Sequence, residues 1–167
     1  FSGGWYERGQ IRTPIDSFSL DATTRIIDDV QYLVWAQKDP SIEGNSNLYI
    51  AAMLNPWTIA TQPVMLSHPE FAWECVDFKV NEGPAFLEHG DVVYLTYSAS
   101  GTGIPYAIGM LSAKRDANLL DASVWRKSPV PVFSTSERHH QYGPGHNSFT
   151  VSEDGKRDLV IYHARNY

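Results

Sequence analysis

Three stretches of the chain repeat one pattern: SLDATTRIIDDVQYLVWAQ, NEGPAFLEHGDVVYLTYSAS and GHNSFTVSEDGKRDLVIYHAR. Each runs from a polar residue through a short strand pattern and a polar turn into a second, more apolar strand pattern. The leading polar residues are Asp21, Glu82 and His146, roughly 60 residues apart. That spacing is longer than common propeller repeats but is of the same all-strand kind. A propeller brings the first strand of every blade to one axis. An Asp, a Glu and a His far apart in sequence would then meet in one pocket.

Helix signals are nearly absent; only residues 112–121 could carry a turn or two. Residues 31–35, 47–51, 92–97, 106–110 and 158–162 are rich in β-branched and aromatic side chains and bounded by Gly, Asp, Asn or Pro. Hairpin turns are expected at Asp28-Asp29, at His89-Gly90-Asp91 and at residues 153–156. The expected fold is all-β: about 2.7 propeller blades, each full blade a four-stranded antiparallel sheet. They fall at residues 18–67, 81–134 and 142–167, the last incomplete, with residues 64–67 and 132–134 as outer strands. Such a set has open sheet edges, so further blades are expected from another chain, a longer parent or self-association. The opening on Phe1-Ser2 without an initiator Met, and the close at Tyr167 inside the third repeat, read as cuts through a larger domain.

Composition narrows the partners. The 167 residues suffice for one domain with a real core. An aromatic share of 13%, with 5 Trp and 9 Tyr, suits both β-structure and sugar binding. A net charge of −6 argues against nucleic acid. No apolar run has the length of a membrane span. The single Cys75 excludes an internal disulfide, fits no zinc-site spacing and is read as packed and inert.

Glu82 lies in Val-Asn-Glu-Gly-Pro-Ala, where Gly83 permits close approach and Pro84 fixes the chain. A glutamate held so at the axis is partly desolvated, which raises a carboxyl pKa and suits a general acid. Asp21, flanked by Phe18 and Leu20, reads as buried and in need of a partner. It either caps a turn or stands beside Glu82 as a second carboxylate that keeps Glu82 protonated and oriented. His146, in Gly-Pro-Gly-His-Asn-Ser-Phe, is either a hydrogen-bonded core histidine or a metal-linked or substrate-contacting one. His139 and His140 are placed on a polar rim. Arg165 is either a surface ion-pair partner or a group orienting carboxylates and sugar hydroxyls. Trp35, Trp57, Phe86, Tyr97 and Phe149 are candidate sugar-stacking faces, although most strand aromatics are core.

Ser-Leu-Asp-Ala-Thr-Thr, Val-Asn-Glu-Gly-Pro, Tyr-Ser-Ala-Ser and Gly-Pro-Gly-His-Asn-Ser-Phe occur in this order and spacing. Together they resemble glycoside hydrolase family 43, whose members are five-bladed β-propellers. Residues 55–59 and 127–133 point to its α-L-arabinofuranosidases, which act on arabinan or arabinoxylan in hemicellulose degradation. The resemblance implies inverting hydrolysis with three carboxylates. Glu82 matches the general acid, Asp21 the residue that tunes and orients it, and His146 the axial histidine that supports a central calcium or its waters. Asn81, Trp57, Ser98, His146 and Arg165 are expected to bind substrate. The family's general base is an aspartate ahead of these residues, and Asp16, Asp28 and Asp29 all lack its context. Inversion needs an acid and a base about 6.5–9.5 Å apart. The chain alone is therefore expected to be inactive or nearly so, and to cleave terminal arabinofuranosyl groups once further blades complete it. The resemblance also implies secretion, although no signal is visible. The alternatives are a carbohydrate-binding or oligomerising half-propeller, and a β-xylosidase or endo-arabinanase specificity.

Overall fold

The computed structural model describes residues 2–167 as three antiparallel sheets and a few short 3₁₀ turns. The first sheet holds β1 (Ser19–Ile27), β2 (Val30–Gln37), β3 (Asn47–Asn55), the short β4 (Thr58–Ile59) and β5 (Val64–Ser67). The second holds β6 (Asn81–His89), β7 (Val92–Ala99), β8 (Ala107–Lys114) and β9 (Arg126–Lys127). The third pairs β10 (Tyr142–Val151) with β11 (Asp158–Arg165). These are successive blades of a β-propeller, and the inner strand β6 packs against the inner strands β1 and β10 on either side.

The hairpins follow from local chemistry. Asp28 and Asp29 both have positive φ, 48° and 65°, the mirror-image turn that a two-residue hairpin needs. Gly90, with φ 57°, serves the same purpose between β6 and β7. Arg115 then ties the first of these turns to the next blade, bonding Asp28 at 3.0 Å and Glu88 at 2.8 Å.

Alternation along the strands places the core. In β2 and β3, Val34, Ala36, Leu48 and Ile50 face the second blade, where they meet Leu95, Tyr97, Leu111 and Trp125. Leu33, Trp35, Tyr49, Ala51 and Met53 face the other way, against Ile11 and Ile15 of the preceding segment. Both faces of this sheet are covered, so the strands read as near-continuous apolar runs rather than as a clean alternation. Trp35, Phe86 and Tyr97 are buried in these clusters, and that removes them as sugar platforms.

Two expectations change. Residues 112–121 form no helix: Ser112 pairs with Tyr94 and with Arg126 inside the second sheet, and the chain then turns. The outer edge of the second blade is also not a single strand at 132–134. Arg126 and Lys127 pair with the far half of β8, and Val132 and Phe133 bond Ile108 at its near half. Prolines between the two pieces break the ladder.

A buried carboxylate ties the segment between the first two sheets to the second sheet. Glu74 is fully buried and accepts from the backbone N–H groups of Glu70 and Phe71, both at 2.9 Å. It also accepts from Asn81 Nδ2 at 3.0 Å, Tyr97 Oη at 2.9 Å and Lys127 Nζ at 2.9 Å. Burial alone pushes its pKa up, but the backbone donors and the Lys127 ammonium outweigh burial and hold it below the usual carboxylate range.

Candidate active site

Each inner strand carries a bulge near its start. Register breaks fall between Leu20 and Thr23, between Glu82 and Ala85, and between Gly145 and Ser148. At each break one residue adopts a left-handed backbone: Asp21 with φ 50°, Gly83 with φ 55° and His146 with φ 47°. A bulge bends its strand and re-aims a side chain. The equivalent positions are therefore Asp21, Gly83 and His146, and Glu82 stands one residue earlier than its place in the repeat suggests. Repetition in sequence locates the three bulges to within a residue; register defines them.

The bulges bond to one another across blades. The Gly83 N–H donates to Asp21 Oδ2 at 3.1 Å, which places the Asp21 carboxylate beside the residue that follows Glu82. His146 Nδ1 stands 4.0 Å from the same Asp21 oxygen. A Cβ at Gly83 would press on the His146 ring at 3.2 Å, so glycine permits both the backbone turn and the approach of the third blade. The Asp21 side chain keeps 20% of its exposure and His146 keeps 49%, so both remain open to a ligand. Glu82, also partly exposed, accepts a hydrogen bond at Oε1 from Tyr106 Oη at 2.7 Å. Burial pushes the Tyr106 phenol far above its ordinary range, and the bond to Glu82 pushes it further, so it serves as a donor at any working pH.

Three substrate-binding expectations change. Asn81 is fully buried; its amide donates to Glu74 and accepts from Ser67 Oγ at 2.6 Å. It precedes Glu82 in a strand and therefore faces the blade interior. Ser98 is also fully buried, and its hydroxyl accepts from the His146 N–H at 2.6 Å. It holds the third bulge and does not face sugar. Trp57 follows β3 at the end of the first sheet that neighbours the Asp28-Asp29 turn, whereas Asp21 lies at the opposite end, next to Ala36. It packs under the Arg8 guanidinium at 4.9 Å. Arg165 lies at the His146 end of its sheet, opposite Tyr142, with its guanidinium over the Tyr167 ring. Phe149 lines an apolar cavity of about 340 Å³ between the second and third blades, away from the carboxylates.

Two groups at the site escape a reading of the sequence. The pattern marks Tyr106 only as the first residue of a strand, and it gives His163 no role. The His163 ring stacks on Tyr106 at 5.8 Å and lies 6.4 Å from His146. The available signal is Gly143 and Gly145, because only glycine leaves room for the Tyr106 ring and the Gly103 carbonyl.

Among the described residues no group of three or more His, Cys, Asp or Glu side chains could hold a metal ion. Calcium takes 6–8 oxygen ligands. These acidic and imidazole side chains therefore form no cage for such an ion by themselves. No helix among these residues is long and apolar enough to cross a membrane.

Comparison with known proteins adds a family. The model described as "Glycosyl hydrolases family 43" matches residues 1–167. The "Extracellular exo-alpha-(1->5)-L-arabinofuranosidase" of Streptomyces avermitilis is 58% identical over 166 residues, covering 99% of this chain and 34% of that protein. "Alpha-L-arabinofuranosidase 43" of Humicola insolens is 50% identical, covering 99% of this chain and 35% of its own length. The crystal structure of an alpha-L-arabinofuranosidase from Lactobacillus brevis superposes with a TM-score of 0.96 at 57% identity, over 98% of this chain and 50% of that one. The chain thus spans about half, or less, of the proteins it matches.

Proposed function

The chain belongs to glycosyl hydrolases family 43, and from that premise we propose that it is the part of an inverting exo-α-L-arabinofuranosidase that supplies the proton donor. Glu82 is the general acid, Asp21 the carboxylate that orients it and tunes its pKa, and His146 the third wall of the sugar pocket. The observation that carries this reading is the bond from the Gly83 N–H to Asp21, which fixes the two carboxylate-bearing bulges of neighbouring blades side by side.

The chemistry follows from that arrangement. Glu82 gives its proton to the glycosidic oxygen as the bond to the anomeric carbon breaks. A second carboxylate activates water on the opposite face of the sugar, at the separation of about 6.5–9.5 Å that inversion requires. None of this chain's aspartates is assigned that role; the base belongs to the remainder of the protein. Asp21 donates nothing to the sugar bond. Its bond to the Gly83 N–H fixes the backbone from which Glu82 projects. A water-held calcium ion against His146 would fix the imidazole and the floor of the pocket; no proton transfer needs it.

The substrate class is an arabinose-containing oligo- or polysaccharide, supported by the names of the relatives, and extracellular action is supported by the word "Extracellular" in the name of the Streptomyces protein. A second reading, a sugar-binding or assembling half-propeller, draws on β11. That strand pairs with β10 and leaves Leu159 and Ile161 exposed along its length, an edge suited to another strand.

The test is arabinose release from an α-1,5-linked arabino-oligosaccharide by the full-length protein and its Glu82→Gln variant. The isosteric amide keeps the Tyr106 contact but carries no transferable proton. General acid catalysis is worth about 10²–10⁴-fold, and a loss of that size is expected. Unaltered turnover in Glu82→Gln removes Glu82 from the role; sugar binding without turnover in the wild type favours the half-propeller.

A further inference from the structure

We infer that Tyr106 is a positioning residue for the proton donor: it occupies Glu82 Oε1, so that Oε2 is the oxygen that carries the proton to the leaving group. The inference rests on the reading of Glu82 as general acid and adds to it which oxygen acts and what selects it.

The geometry is fixed from three sides. Tyr106 stands immediately before β8, is 1% exposed, and donates from Oη to Glu82 Oε1 at 2.7 Å. The His163 ring of β11 stacks on the Tyr106 ring at 5.8 Å with an interplanar angle of 15°. Gly145 of β10 closes against the ring edge, where any Cβ would overlap it. The ring therefore cannot swing away from Glu82 without moving the third blade. A phenol held there is protonated throughout, because burial and the neighbouring carboxylate both oppose its ionisation.

The consequence is a choice between two oxygens. A protonated carboxyl has one O–H and one carbonyl oxygen. With Tyr106 donating to Oε1, that oxygen must be the acceptor, and the proton resides on Oε2. In the reaction the Oε2 proton passes to the glycosidic oxygen. The electrons of the broken bond stay on that oxygen, which departs as an alcohol. Water adds to the anomeric carbon and gives its proton to the second carboxylate. Glu82 is left as a carboxylate, and the Tyr106 bond becomes charge-assisted, hence stronger, as the proton leaves. Tyr106 thus acts on the transition state through Glu82 and touches no sugar.

The test separates this role from simple support of the fold. The full-length protein and its Tyr106→Phe variant are assayed on two substrates. One is an α-1,5-linked arabino-oligosaccharide, whose alcohol must be protonated to leave. The other is 4-nitrophenyl α-L-arabinofuranoside, whose phenoxide leaves with little protonation. Hydrogen bonds to charged groups set the expected loss of kcat at about 10-fold or more on the oligosaccharide, against less than about 3-fold on the nitrophenyl substrate. The ratio of the two losses does not depend on the fraction of folded protein. Equal losses on both substrates, or none on the oligosaccharide, overturn the assignment of Tyr106 alone. A wild-type protein that releases arabinose from neither overturns the reading of Glu82, and this one with it.

Discussion

Asp21 and His146 hold a left-handed backbone that costs a non-glycine residue on the order of 1 kcal/mol or more. The two side chains so aimed come within 4.0 Å of each other, and at the third equivalent position Gly83 takes the turn and frees its N–H for Asp21. The glycines of the third blade are tied to the site in the same way. Gly145→Ala puts a methyl group into the Tyr106 ring and should destabilise by about 1–3 kcal/mol, the usual cost of overpacking. Gly155→Ala has open space and only its φ of 69° against it, a cost of about 1 kcal/mol. Thermal melts of the two variants in the full-length protein check the contrast: a Gly145→Ala variant as stable as Gly155→Ala would mean that the Tyr106 ring is not pinned. Asn-Glu-Gly-Pro is enough to single out Glu82 as the proposed proton donor, but the contacts of its neighbours are not legible. Strand alternation sends Asn81 inward to Glu74, and only the cross-strand register reveals that Ser98 meets the His146 backbone rather than solvent.

The attachment of the inter-blade segment to the second blade carries its own titration. Glu74 is fully buried, and its native pKa lies below the 4.5 of an unconstrained glutamate. A depressed carboxyl pKa adds stability that is complete above the unfolded-chain value and is lost as pH falls through the native one. Melting temperature should therefore drop on acidification below about pH 4.5, and the Glu74→Gln variant should show a shallower drop over the same window. Lys127→Met leaves the buried carboxylate without its cation and should cost about 3–5 kcal/mol near neutral pH, part of which Glu74→Gln restores in the double variant. Identical acid limbs in wild type and Glu74→Gln would place the acid sensitivity elsewhere. The strand order and both tight hairpins are readable from β-branched runs and Asp-Asp or Gly turns. The turn or two of helix that residues 112–121 could carry does not form because the first of them complete a ladder with β7, so tertiary pairing overrides local composition. The split outer edge is hidden because prolines mark a break without showing which half of β8 each fragment joins.

At the scale of the molecule, the chain supplies three consecutive inner strands and, on the proposed reading, the acid half of a hydrolytic site, and its relatives are two to three times its length. Blade count and the common axis can be read from the repeat, because each repeat buries one sheet face against the next. The offset of Glu82 from the equivalent bulge position cannot, since a bulge inserts one residue without changing the surrounding pattern. Trp57 shows the same limit: an aromatic residue in a turn carries no sign of which end of the blade that turn occupies. The central claim is that Asp21, Glu82 and His146 line one pocket in which Glu82 faces the scissile oxygen. The most direct measurement is a crystal structure of the full-length Glu82→Gln protein bound to an α-1,5-linked arabino-oligosaccharide. The account predicts the glycosidic oxygen within hydrogen-bond reach of the amide that replaces the Glu82 carboxyl, about 2.6–3.2 Å, with Asp21 and His146 around the same sugar. A sugar seated elsewhere, with that amide out of reach of any glycosidic bond, would contradict it.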